Sequence, residues 1–170
     1  SEFPRLSERT KSIIVESFMG MIEPLIGGIL KRKFVEGITE DLMPENIYRQ
    51  GKITIIDFPI KEFGLAGIYA AMIYKTTFQA AMERRVVAQE DNPKPVVLWA
   101  DEYQNFVSAQ FDSLFQTTAR SSLVSTVYIT QNIQNIYFTM GDSMPEAKAK
   151  SLLGNLNLKI FCSNSDVETN

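Results

Sequence analysis

At 170 residues, with 45% hydrophobic and 22% charged residues, the chain has the makeup of one globular domain long enough to bury a sizeable core. Its net charge of -3 gives no support for a strongly basic nucleic-acid surface, which leaves only a local patch or a channel formed between subunits. There is no histidine, which excludes a Ser-His triad or a histidine-based zinc site, and the single Cys162 excludes an internal disulfide.

Ser1-Glu2-Phe3 resembles residual cloning sequence and is set aside. Ser7-Glu8-Arg9-Thr10 offers an N-cap for a long helix, with a kink or break near Pro24 and Gly27-Gly28. Residues 13–30 are rich in apolar side chains, but Glu16, Glu23 and Pro24 argue against a membrane span, which needs about 20 mostly apolar residues. No internal repeat or low-complexity tract is evident.

Residues 52–58 form a β-branched run between Gly51 and Pro59, which predicts a buried strand. A helix follows over residues 65–89, where Ile68, Met72, Ile73, Phe78, Ala81 and Met82 recur at helical spacing. Val96-Val97-Leu98-Trp99-Ala100 then reads as a buried strand ending in Asp101 and Glu102. A helix over 112–120 with Asp112 as N-cap comes next, then a strand over 125–131. Two helical pieces broken around 141–145 precede a fourth strand over 156–163, and Asp166-Val167-Glu168 begins another element. Cys162, inside that apolar run, reads as a buried small hydrophobe. Alternating strands and helices predict an α/β fold with right-handed crossovers and a parallel sheet.

The carboxyl end of a parallel strand is where open α/β folds place their ligands, and two acids there suit nucleotide hydrolysis. One acid holds Mg²⁺, usually through water, and the second orients or deprotonates the attacking water. The competing reading of Asp101 and Glu102 is an acidic helix N-terminus favoured by the helix dipole. Gln131 ends the next strand, so adjacent strands would place it beside both acids, where a carboxamide can bond a γ-phosphate or the attacking water. Its alternative is a turn residue capping the helix near Asn132.

These residues carry a resemblance. Val-Val-Leu-Trp-Ala-Asp-Glu-Tyr-Gln-Asn-Phe from Val96, Ala-Arg-Ser-Ser-Leu-Val-Ser-Thr-Val-Tyr-Ile-Thr-Gln-Asn-Ile-Gln from Ala119 and Leu-Leu-Gly-Asn-Leu-Asn-Leu-Lys-Ile-Phe-Cys from Leu152 resemble the second half of the motor domain of type IV secretion coupling proteins. Asp166-Val167-Glu168-Thr169 and Ile55-Ile56-Asp57-Phe58-Pro59 extend the likeness, which covers most of the chain from Lys52 onward. That family comprises the TraG/TraD-like hexameric DNA-pumping ATPases of conjugation, within the additional-strand RecA-like translocases.

The resemblance implies a RecA-like P-loop NTPase core fragment over residues 4–170, with a mainly parallel β-sheet flanked by helices. It implies Asp101 as the Walker B aspartate on Mg²⁺, Glu102 as the acid that activates water, Gln131 as the sensor glutamine and Arg120 as the arginine reaching a neighbouring subunit's nucleotide. A guanidinium fits that last role because it stays charged and presents a planar fork to phosphate oxygens; the other reading of Arg120 is a cation at a helix C-terminus. Further implications are ATP and Mg²⁺ as cofactors, DNA and a relaxase or nucleoprotein as substrates, a hexameric ring, type IV channel components as partners, and anchoring at the cytoplasmic face of the bacterial inner membrane.

One departure matters. No Gly-x-x-x-x-Gly-Lys-Ser/Thr occurs, since Gly27-Gly28 and Gly64-Leu65-Ala66-Gly67 lack the lysine and hydroxyl that follow a phosphate loop. The expectation is therefore a piece of a longer motor, lacking the P-loop strand, inactive by itself and prone to self-association through the apolar edge or face so exposed. Two alternatives stand beside it: a non-catalytic docking module of a conjugation system on the same fold, and a metal-dependent nuclease using Asp57, Asp101 and Glu102 as oxygen ligands.

Overall fold

The computed structural model describes residues 3–27, 31–32, 40–141 and 143–162. Helix α1 (Glu8–Ile26) opens on Ser7, whose side chain accepts the Thr10 N–H at 3.2 Å. It continues past residue 24 and stops at Gly27, so the break falls at the glycine rather than at the proline. Helix α2 (Pro44–Gln50) has Pro44 in its first turn and ends on Gly51, whose φ of 67° is the left-handed conformation that terminates a helix.

Helix α3 (Ile60–Glu83) starts and ends earlier than its periodicity predicts, and its first turn is kinked at Gly64, with φ 55° and ψ -138°. Its entry is tight. A Cβ on Gly67 would lie 2.9 Å from the Phe63 Cβ and 3.2 Å from the Phe58 carbonyl, where the Phe58 and Phe63 rings meet edge to face at 5.9 Å. The C-terminal end is fastened by Arg85, a buried guanidinium that donates to both Glu90 carboxylate oxygens at 2.7 Å, to Lys94 O at 2.8 Å and to Ser122 O at 3.0 Å, and stacks over the Tyr48 ring.

Strands β1 (Val96–Ala100) and β2 (Val124–Tyr128) pair in parallel, in register from Val96 with Val124 to Ala100 with Tyr128. Beyond the strands the backbone stays paired: Ile129 N–H donates to Ala100 O and Tyr103 N–H to Ile129 O, both at 2.9 Å. One face of this pair is covered. Val96, Leu98 and Val124 pack with Tyr48, Phe78, Met82 and Phe115, while Ala100 and Tyr128 join a second cluster with Tyr103, Ile136, Met140 and Leu152. The opposite face is open, with Val97 59% and Trp99 66% exposed.

Helix α4 (Ala109–Thr118) begins one turn before the expected position because Ser108 caps it by accepting the Phe111 N–H. Asp112, predicted as the cap, is instead fully buried and accepts from Lys75 Nζ at 2.5 Å, Tyr103 OH at 2.5 Å, Gln79 Nε2 at 2.8 Å and Ser108 N at 2.8 Å. Helices α5 (Ile133–Thr139) and α6 (Pro145–Gly154) are separated where the sequence breaks, by Gly141 at φ 81° and Met144 at φ 49°.

The architecture is thus α/β with a small parallel pair of strands among the described residues, smaller than the mainly parallel sheet of the expected RecA-like core. Two predicted strands are not formed. Among the described residues, 52–59 form no regular element and join no ladder, and Ile53 is 93% and Ile55 85% exposed. β-propensity by itself does not make a strand; its N–H and C=O groups must find a partner edge. Residues 157–162 likewise lie outside any ladder, with Leu158, Ile160, Phe161 and Cys162 exposed, so the expected burial of the cysteine is not met. Ser163 and Asp166-Val167-Glu168 fall outside the described residues.

Asp112→Ala should be among the most damaging single changes, because it strands the Lys75 ammonium, 3% exposed, in the interior. Breaking a buried pair in this way costs about 3–5 kcal/mol, and chemical denaturation would read it as a lowered midpoint. Burial lowers the Lys75 pKa more strongly than Asp112 restores it. Burial, then the Asp112 charge, raises the Tyr103 and Tyr128 phenols above their ordinary 10.0. Above that pH the unfolded chain releases phenolic protons that the folded chain keeps, so these two groups contribute stability that is lost as pH rises. Urea midpoints measured upward from about pH 10 should fall, and less steeply in Tyr128→Phe.

Candidate functional site at the carboxyl ends of the strands

Because β1 and β2 are parallel and adjacent, the residues that follow them leave the sheet at one rim. The structure brings Glu102 and Gln131 into contact there: Gln131 Nε2 donates to the Glu102 oxygens at 3.0 and 3.3 Å. Asp101 stands beside them, its Oδ1 accepting the Glu102 N–H at 2.9 Å. All three side chains are exposed and line a groove of ≈ 1310 Å³ between the 52–61 segment and β1, which also includes Asp57, Phe58, Trp99 and Phe106. Asp101 does not open an α-helix, so the dipole explanation for the acids finds no helix here; a 3-10 turn, Tyr103–Asn105, follows instead. Gln131 is not the cap of α5 either, since Asn132 caps it by accepting the Asn135 N–H at 2.9 Å.

Glu102 adopts φ 49° and ψ 39°, a left-handed conformation that costs a non-glycine residue about 1–2 kcal/mol. The turn is held from several sides. Gln104, 7% exposed, donates its side-chain amide to the Glu102 carboxylate, and its backbone carbonyl accepts the Thr139 hydroxyl at 2.8 Å. The Gln104 Oε1 atom is buried and finds no hydrogen-bond partner among the described residues. Neither Gln104 nor Tyr103 stands out in the sequence as a site residue; the legible signal was only their adjacency to the acid pair.

Arg120 lies elsewhere. It occupies the 3-10 turn Ala119–Ser122 that leads into β2, at the amino end of the sheet, and its side chain is exposed. At about 3.3 Å per residue, a five-residue strand separates it by roughly 16 Å from the rim that carries Glu102. Within one chain it does not reach Asp101, Glu102 or Gln131. Its turn is anchored from beneath by the Arg85 bond to Ser122 O and closes on Leu123 at φ 53°.

Among the described residues, no three acidic, histidine or cysteine side chains gather as a metal cluster, so Asp57, Asp101 and Glu102 do not form the nuclease-type ligand set. No helix among the described residues is long and apolar enough to cross a membrane.

Because Glu102 and Gln131 are both exposed, removing their contact should cost little stability, about 1 kcal/mol or less. A Gln131→Ala variant with a urea midpoint far below that of the parent would reveal a structural role larger than this geometry gives it.

No curated protein and no solved structure matches the chain. Residues 95–170 match the family described as the TraM recognition site of TraD and TraG, a span that takes in β1, the acid pair, Arg120, β2 and Gln131. Over that region the chain is similar to the TraD and TraG proteins that the family description names.

Proposed function

We propose that this chain is part of an ATP-driven coupling protein that delivers DNA or nucleoprotein to a conjugative secretion channel, and that Asp101, Glu102 and Gln131 are its nucleotide-side residues. The observation that carries this reading is the bond from Gln131 across the strand ends to Glu102, which places a carboxylate and a carboxamide within reach of one ligand atom. Asp101 fits a magnesium site of the hydrated kind. Its carboxylate is exposed and engaged by one backbone N–H, which leaves oxygen lone pairs for waters of an octahedral ion. When bound, Mg²⁺ neutralises charge on the phosphates; Asp101 would hold it through water, and Glu102 would orient and accept a proton from the attacking water.

Arg120, on the opposite rim, fits a role between subunits. Head-to-tail packing in a ring would bring one subunit's amino rim to the next subunit's carboxyl rim, where a guanidinium would stabilise phosphate charge growing in the transition state. Grip on DNA would then come through phosphate contacts from local basic groups in a central pore, since an overall charge of -3 supplies no broad basic surface. These roles require a phosphate loop, and residues 1–170 hold no Gly-x-x-x-x-Gly-Lys-Ser/Thr.

A second reading is favoured by the family description itself, which names a recognition site for TraM. Residues 95–170 would on this view dock a relaxosome protein without catalysis. The two readings part cleanly in the full-length protein. Under the motor reading Glu102→Gln retains ATP but turns over about 10²–10⁴-fold more slowly, the usual contribution of a general base. Arg120→Ala would bind ATP normally and lose turnover, recovering part of it in mixed rings with Glu102→Gln subunits. Wild-type ATPase rates in both variants, with loss of partner binding on altering this surface, would favour the docking module.

A further inference from the structure

We propose that the buried Lys75–Asp112 pair is a positioning device for Glu102, acting on it through the Tyr103 hydroxyl and the Phe106 carbonyl. This rests on the reading of Glu102 as the residue that activates water.

The turn after β1 has to do two opposed things. It must project the Glu102 carboxylate into the groove, and it must hold that residue in a left-handed backbone conformation that an unrestrained glutamate leaves. The residues on its C-terminal side are therefore tied down. Tyr103, 1% exposed, donates its hydroxyl to Asp112 Oδ2 at 2.5 Å and stacks on Tyr128 with centroids 3.9 Å apart and planes 3° from parallel. Phe106 O accepts Lys75 Nζ at 2.7 Å, and Ser108 N donates to the same Asp112 oxygen at 2.8 Å. Three groups on the 103–108 stretch thus end on one ion pair, itself contributed by α3 and α4.

Stability alone does not account for this arrangement. A buried ion pair is commonly no better than well-packed apolar side chains of the same volume, so its value lies in directing what surrounds it. Here the pair fixes direction. Its hydrogen bonds set the distance of the turn from α3 and α4, while the Tyr103 N–H to Ile129 O bond sets its distance from β2. Gln104, between the two tethered residues, carries that order directly to the Glu102 carboxylate. Hydrolysis is sensitive to such placement, since a misplacement of about 1 Å in a reacting group can cost 10²-fold in rate.

Tyr103→Phe isolates the effect, because it keeps the ring and its stack on Tyr128 while removing the bond to Asp112. In the full-length protein we expect kcat for ATP to fall about tenfold or more with KM changed less than about twofold, and amide hydrogen exchange over 101–106 to rise while exchange in α3 and α4 stays as in wild type. Met82→Leu, a core change far from the turn, serves as the control for general loosening and should leave kcat alone. A wild-type kcat in Tyr103→Phe, an unchanged exchange rate at the turn, or an equal fall in Met82→Leu would each overturn the positioning role. Glu102→Gln run in parallel separates the two levels: if it too turns over normally the hydrolysis reading fails and the positioning role with it, whereas an inactive Glu102→Gln beside a normal Tyr103→Phe defeats the positioning role alone.

Discussion

The interior of this protein is organised around one carboxylate. Asp112, with no exposed surface, accepts hydrogen bonds from Lys75 and Gln79 on α3, from Tyr103 after β1 and from its own N-terminal turn at Ser108. A lone carboxylate in that setting would be driven to neutrality; a lysine and three further donors keep the site satisfied. The same bonds decide where three chain segments stand relative to one another. Tyr103 can donate because its phenol stays protonated, held above its ordinary range by burial and by the charge it faces. The apolar clusters on either side supply the cohesion, and the polar centre supplies the direction.

A second fastening works at the other rim. Arg85 spends its guanidinium on Glu90, Lys94 O and Ser122 O, joining the end of α3 to the approach of β1 and to the turn before β2. Glu90 is held below its usual carboxylate range by that contact. The two clamps lie at opposite ends of the same parallel strands. One governs the backbone beside Asp101, Glu102 and Gln131, and the other governs the turn that carries Arg120.

The two central strands, the break between α5 and α6 and the shared rim of the acid pair and Gln131 were legible because each follows from local patterning: an apolar run, a glycine, a polar residue at a run's end. Parallel pairing then needs only neighbouring strands for Glu102 and Gln131 to meet. Asp112 was misread for a corresponding reason. An acid at the start of a helical pattern looks like a cap, and what buries it is Lys75, 37 residues earlier in the chain, a separation no local pattern encodes. Residues 52–58 have the composition of a strand yet join no ladder among the described residues, since pairing belongs to the partner edge as much as to the segment. Glu102 in the left-handed region was also beyond the reach of the sequence, because no glycine marks the turn.

The open face of the sheet and the location of Arg120 constrain the same question from two sides. Parallel strands ordinarily have both faces covered, yet Val97 and Trp99 stand largely exposed on a face opposite the α3 and α4 side. Apolar surface of that kind favours burial against further protein. Arg120 gives a directional requirement as well: an exposed cation roughly one strand length from the acid pair can act on a ligand held by Glu102 only if that ligand belongs to another copy. A two-fold contact would set residue i of one copy against j of the other and j against i, so each Arg120 could face the other copy's acid pair and the assembly would stop at two copies. A head-to-tail contact places unlike rims together, so that cation meets carboxylates and their ligand, and repeated with a constant rotation it closes a ring. Either way Arg120 would serve a site on another copy, and under the proposed motor reading the repeated head-to-tail contact is the one that builds a ring.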